Sequence, residues 1–113
     1  PELDLLFDVR FLPNPFFEDA LRDLTGRDKS VKEFVLDNRD EASQFLSHVE
    51  GLLLFLIPKY VREGKVYLTI GIGCTGGVHR SVAIAEELKD RFGVHLKEKQ
   101  VRVMVEYRDI GKE

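Results

Sequence analysis

The stretch Gly71-Ile72-Gly73-Cys74-Thr75-Gly76-Gly77-Val78-His79-Arg80-Ser81 puts four glycines, a thiol, two hydroxyls, an imidazole and a guanidinium into eleven positions. Glycines at a sharp turn let consecutive backbone N–H groups point into one concavity. A helix starting near His79 adds the positive end of its dipole, which favours an anion. Thr75 and Ser81 bring hydroxyl donors, and Arg80 brings a planar fork suited to phosphate or carboxylate oxygens. The chemistry expected here is binding of a phosphorylated small molecule or another anion, with Cys74, Thr75, Gly76, Gly77, His79, Arg80 and Ser81 as candidate ligand-binding residues. A tight turn whose glycines only let a helix pack on a strand would show the same glycines without needing the cation and hydroxyls.

Cys74-Thr75-Gly76-Gly77-Val78-His79-Arg80-Ser81 also fits Cys-x-x-Gly-x-x-Arg-Ser, the loop of cysteine-dependent phosphatases. In that alternative a Cys74 thiolate attacks phosphorus, Arg80 holds the equatorial oxygens, and Asp19, Asp23 or Asp28 protonates the leaving group. Gly73 stands where those enzymes carry His, and a buried spectator cysteine is the commoner fate of a lone thiol. The lysine spacing of a Walker A loop is absent. Arg10 and Asn14 are further candidates, at the end of a first strand and in a Pro-locked loop beside it. Asp8 and Arg10 fit equally an internal ion pair that organises that loop.

These residues need a frame. Leu3 to Val9 has the length and apolarity of a buried strand. Pro13 and Pro15 then impose extended geometry and open a long loop to about Lys29, with a turn at Thr25-Gly26-Arg27-Asp28. Ser30 with Glu33 forms a capping-box pattern, predicting a short helix to Leu36. A helix from Asp40 or Ser43 places Phe45, Val49, Leu52, Leu53, Leu56 and Tyr60 on one face, with Pro58 kinking or ending it and Gly64 closing the region. Val66 to Ile72 is apolar on both parities, the pattern of a central strand covered on both faces. Arg80 to Phe92 reads as an amphipathic helix with Val82, Ile84, Ala85, Leu88 and Phe92 inward, stopped by Gly93. Val101 to Tyr107 alternates as a last strand. That order predicts one α/β domain over residues 1–113, a mainly parallel sheet sandwiched by helices with a Gly-rich strand-loop-helix as its anion site.

Composition narrows the classes. The 113 residues, 43% hydrophobic and 33% charged, suit one globular domain. The apolar run Leu52 to Ile57 cannot span a bilayer, so no membrane partner is expected. Seventeen basic against twenty acidic side chains give a net charge of −3, so any nucleic-acid contact needs a local basic patch. One cysteine forms no internal disulfide, which fits a reducing cytoplasm. The scattered histidines lack metal-ligand spacing; no metal or cofactor is expected. The excess apolar surface around Leu52 to Ile57 suggests a homo-oligomer.

Two segments resemble the C-terminal domain of the RapZ family of bacterial RNase adapter proteins. One is Phe7-Asp8-Val9-Arg10-Phe11-Leu12-Pro13-Asn14-Pro15 with Leu24-Thr25-Gly26-Arg27-Asp28-Lys29. The other runs from Tyr67-Leu68-Thr69-Ile70 through the glycine loop to Val82-Ala83-Ile84-Ala85-Glu86. The resemblance implies that full-length members carry an N-terminal Walker-type domain and that this domain is like a sugar-phosphate-kinase subdomain. It implies binding of a phosphorylated metabolite, in enterobacteria glucosamine-6-phosphate, and of the small RNAs controlling its synthesis, with Thr75, Gly76, His79 and Arg80 as pocket residues and no catalytic part for Cys74. The expected function is therefore a sensory and adapter domain that binds a sugar phosphate or nucleotide, and small RNA, to regulate RNA processing. Phe16 departs from the pattern where enterobacterial members have a pocket His. Val105-Glu106-Tyr107-Arg108-Asp109 lacks their basic His-Arg pair, and the basic tail associated with RNA binding is missing.

Overall fold

The computed structural model describes residues 3–37, 40–65, 67–95 and 102–109. Three strands, β1 (Leu5–Asp8), β2 (Tyr67–Cys74) and β3 (Arg102–Asp109), pair in parallel in the order β1-β2-β3. Helices α1 (Lys29–Leu36) and α2 (Asp40–Arg62) connect β1 to β2, and α3 (Arg80–His95) connects β2 to β3. Val66 and Val101, read as the first residues of their strands, lie outside the described residues, as does the Phe92 side chain.

The helices lie on one face of the sheet rather than both. Strands added in sequential order by crossovers of one hand place every connecting helix on the same side. On that face Leu68, Ile70, Ile72 and Cys74 of β2 are buried in one core with Leu46, Val49, Leu53 and Ile57 of α2 and Ala83, Ile84 and Leu88 of α3. Phe7 of β1 meets Phe45 of α2 edge to face, with ring centres 5.9 Å apart. The opposite parity faces away: Leu6, Tyr67 and Met104 are exposed. Apolarity on both parities of β2 therefore did not mean two covering layers; Gly71 on the far face is covered by the side chains of Leu3 and Leu6.

Local chemistry explains the element ends, and some differ from expectation. Asp28, not Ser30, is the N-cap of α1, and its carboxylate accepts from the Thr25 N–H (2.8 Å), closing the preceding turn. α2 does not stop at Pro58; Leu53 and Ile57 are buried ahead of it and Tyr60 and Val61 pack on the core behind it, which offsets the lost hydrogen bond. Leu52 turns outward, since the buried stripe is Ala42, Leu46, Val49, Leu53 and Ile57. Gly64 ends the helix in the left-handed region (φ 83°); its N–H donates to Val61 O and that of Lys65 to Tyr60 O, a Schellman closure. α3 continues past Gly93 to His95, as a helix tolerates one glycine at about 1 kcal/mol.

Between β1 and α1 the loop is tied down. Asn14 caps a 3₁₀ turn at Pro15–Phe17. Gly26 then donates to Val78 O (2.8 Å). A Cβ on Gly26 would overlap backbone atoms of His79, Val82 and Ala83, so only glycine lets this turn touch the first turn of α3. At the other edge Asp4 bonds Lys65 Nζ (2.7 Å) and accepts from Thr69 N–H (2.8 Å). Lys65 first, then Thr69, holds the Asp4 carboxyl below its ordinary value.

Two outcomes are expected. Gly26→Ala lowers stability by about 2 kcal/mol or more, because rigid backbone on both sides cannot yield, and urea unfolding measures it. The Asp4 carboxyl titrates lower folded than unfolded, so its stabilisation is full above the ordinary aspartate value near about 4 and is lost as pH falls through the lowered folded value. The stability gap between wild type and Asp4→Asn in urea therefore closes between pH 7 and acid.

Candidate functional site

Because the strands are parallel, their carboxyl ends share one edge: Asp8 pairs with Gly73, and Cys74 with Asp109. Residues 75–79 leave β2 at that edge and lead into α3. Gly76 (φ 85°) and Gly77 (φ 68°) occupy the left-handed region that turns the chain there. A Cβ on Gly77 would sit 2.8 Å from Asp109 N, so the loop presses on the end of β3. One on Gly76 would meet nothing within 4 Å, and Thr75 and Gly76 are open to solvent. The Gly76 N–H donates to Asp109 Oδ1 at 3.0 Å.

The next residues point inward. Arg80 is 5% exposed; its Nη1 donates to the carbonyls of Arg10 and, at 3.2 Å, of Leu12. Its Nε is buried with no hydrogen-bond partner. His79 Nε2 lies 3.1 Å from Arg22 O; a carbonyl can only accept, so Nε2 carries the proton. The Ser81 N–H donates to Cys74 Sγ (3.3 Å), and the thiol meets Ser81 Oγ at 3.1 Å. Cys74 and Ser81 are both fully buried. In this arrangement Sγ is closed off from solvent, whereas the phosphatase mechanism needs it open to phosphorus.

Among the residues picked out from sequence, Thr75 and Gly76 thus form the open lip, Gly77 a packing contact, and Cys74, His79, Arg80 and Ser81 the wall behind. Arg10 and Asn14 enter differently. The Arg10 guanidinium binds Asp8 (Nη2 to Oδ2, 2.7 Å), and Asn14 Oδ1 accepts from Phe16 N–H (3.0 Å). What that loop gives the site is the pair of carbonyls that fix Arg80. Hydrogen bonds from Arg10, and secondarily the charge of Arg80, hold the Asp8 carboxyl below its ordinary value.

Three participants escaped the sequence reading as site residues. Asp109 comes to Gly76 only through the β2–β3 register, Gly26 shows its role only against α3, and Arg22 acts through its carbonyl. Beside the loop a cleft of about 100 Å³ is lined by Thr25, Arg27, Gly77, Val78, Val82 and Tyr107, with Arg27 donating to Tyr107 OH (2.9 Å). A larger hollow of about 630 Å³ lies elsewhere, between the α1–α2 junction and α3. Its lining of Asp37, Asp40 and Glu87 against the one cation Arg91 is acidic on balance and suits an anion poorly. No cluster of three His, Cys, Asp or Glu side chains able to hold a metal occurs among the described residues, and none of the described helices is long and apolar enough to cross a membrane.

Comparison with known proteins adds ancestry to this geometry. Residues 1–111 match the family model for the RapZ C-terminal domain. A nucleotide-binding protein of Rubrobacter xylanophilus is 57% identical over 109 residues, 96% of this chain and 35% of that protein. One of Caldanaerobacter subterraneus subsp. tengcongensis is 57% identical over 112 residues, 99% of this chain and 38% of its own length. One of Myxococcus xanthus is 51% identical over the whole chain and 38% of its own length. The chain therefore spans a little over a third of the curated relatives it matches. A glycine loop feeding α3, tied back to the Pro-rich segment after β1, is the setting of this likeness, and the chain belongs to the RapZ C-terminal domain family.

Proposed function

We propose that residues 74–80 bind the phosphate of a small metabolite, a sugar phosphate or nucleotide, and that the domain acts as a sensory adapter whose occupied state is read by small RNA. The observation that carries the reading is the Asp109 carboxylate on the Gly76 amide. A loop amide ahead of a helix start already donates to an anionic oxygen from within the chain, which supports a preference for negative charge at that spot. The unpartnered Arg80 Nε adds positive charge behind it. Ligand phosphate would take the Gly76 amide over from Asp109, with the Thr75 hydroxyl as a further donor. Names of the relatives, nucleotide-binding proteins, agree with this class of ligand.

For RNA the supporting feature is an exposed aromatic and arginine rim after β1. Phe11, Phe16 and Phe17 are exposed, Phe16 and Phe17 meet edge to face, and Arg22 lies 5.4 Å from the Phe16 ring centre. Exposed rings with arginines suit unpaired bases, since every base has a face to stack and the guanidinium meets the phosphates. The backbone of this rim is coupled to the loop through Arg80 and the Arg10 and Leu12 carbonyls.

Two measurements test these arms. In calorimetric titrations with a hexose phosphate and with a nucleotide, at least one binds; Asp109→Asn tightens it about threefold by removing a competing charge, and Gly77→Val abolishes it. Absence of binding by either compound at millimolar concentration overturns the phosphate reading. Titration of single-stranded RNA against salt gives a negative slope that reflects phosphate neutralisation, and Phe17→Ala costs about 1–3 kcal/mol. A slope of zero removes the RNA arm and leaves a metabolite sensor.

A further inference from the structure

Just past the Gly76 amide, the glycine loop forms one wall of the cleft of about 100 Å³ between Thr25, Arg27, Gly77, Val78, Val82 and Tyr107. Two of the lining side chains stay in water although they are apolar or aromatic: Val78 is 45% exposed and Tyr107 37%. Tyr107 keeps the strand parity of Val103 and Val105, which pack on the core, so its ring leaves β3 on the helix side of the sheet and meets Arg27 there. Arg27 Nη2 donates to the Tyr107 hydroxyl (2.9 Å), its Cζ lies 5.7 Å from the ring centre, and its Nε is 3.4 Å from Glu86 Oε1. Nη1 takes part in none of these contacts.

The walls are held in place. The Gly26 N–H on Val78 O (2.8 Å) ties the Thr25–Arg27 turn to the glycine loop. Thr25 Oγ1 accepts from the Arg27 N–H (3.2 Å), which leaves the hydroxyl proton for another acceptor. Two valines and a phenol ring therefore line the cleft, with a guanidinium and a hydroxyl as donors. Such a slot suits a flat ring edged with carbonyls, because bases stack on aromatic faces and arginine planes while their edges accept hydrogen bonds. A hexose carries hydroxyls around its whole rim and would leave some unpaired against the valines. Size narrows the choice further. An apolar cavity of about 150 Å³ holds one benzene ring, so an open cleft of about 100 Å³ seats a single six-membered ring and leaves the second ring of a purine outside.

Resting on the phosphate reading of the loop, we propose that this cleft is the base subsite of the same site and that the ligand is a pyrimidine nucleotide. The phosphate takes the Gly76 amide, the base enters between Val78 and Tyr107, and its ring carbonyls accept from Arg27 Nη1 and the Thr25 hydroxyl. Continuity of the two subsites selects this ligand. Gly76 and Gly77 are neighbours in the chain, one on the anion and one in the cleft wall, and in a nucleotide only the ribose stands between phosphate and base.

Calorimetric titration of the chain with uridine monophosphate, adenosine monophosphate and ribose 5-phosphate tests it. Uridine monophosphate is expected to bind at least about tenfold more tightly than ribose 5-phosphate, with adenosine monophosphate between them. Tyr107→Ala should remove that tenfold gain and leave ribose 5-phosphate affinity unchanged, which also shows that the variant is folded; Tyr107→Phe should keep most of the gain. Uridine monophosphate binding no tighter than ribose 5-phosphate overturns the base subsite while the phosphate reading stands. Adenosine monophosphate binding as tightly as the uridine compound overturns the pyrimidine assignment, and a Tyr107→Ala variant that weakens all three compounds equally overturns the role of the cleft. Failure of all three to bind overturns the phosphate reading and this proposal with it.

Discussion

The first turn of α3 depends on one buried cation. Arg80 is almost wholly removed from water, and its Nη1 is held by two main-chain carbonyls some seventy residues earlier in the chain, Arg10 and Leu12. Withdrawing a guanidinium from water is costly unless its donors are satisfied. The loop after β1 must therefore present its carbonyls at that spot whenever α3 is in place. His79 repeats the arrangement by donating to Arg22 O, and Gly26 completes it by letting a turn touch the helix backbone. Three contacts from one helix start thus fix a loop of nearly twenty residues that has little regular structure of its own.

This constraint changes how the glycine motif works. Residues whose side chains look suited to grasping a ligand, His79, Arg80 and Ser81, build the wall instead, and the open lip consists of Thr75 and Gly76, the latter with its amide on Asp109. Cys74 and Ser81 satisfy one another behind that lip. A fixed amide ahead of a helix start suits an anionic oxygen, and within the chain the Asp109 carboxylate fills that role. Under the proposed function an incoming anion would compete with the Asp109 carboxylate for the Gly76 amide, which would make the end of β3 sensitive to what the loop holds. Signal and site would thus share one edge of the sheet.

Much of the fold was legible because the periodicities are strong. β2, α2 and α3 follow from apolar spacing, and the loop at the carboxyl end of a parallel strand follows from the glycines. The single-sided arrangement of helices was not legible, because strand order is set by long-range pairing. β2 reads as apolar on both parities, yet its far face carries Thr69, Gly71 and Gly73, and among the described residues the side chains of Leu3 and Leu6 lie over Gly71. The cap of α1 was misread for a local reason: Asp28 and Ser30 both fit a helix start, and the Thr25 turn decides between them. The sequence did place the glycine segment between the end of β2 and the start of α3. It could not tell which side chains stay open to solvent and which face carbonyls, since those carbonyls come from Arg10, Leu12 and Arg22, whose own side chains say nothing about their backbone.

The most direct test of the central claim is to follow backbone amide shifts by ¹H–¹⁵N NMR while inorganic phosphate is added at constant ionic strength. The account predicts saturable shifts concentrated at Thr75, Gly76 and Gly77 and at Asp109 as its carboxylate is displaced. Shifts confined to surface lysines and arginines, with the glycine loop unmoved, would contradict it.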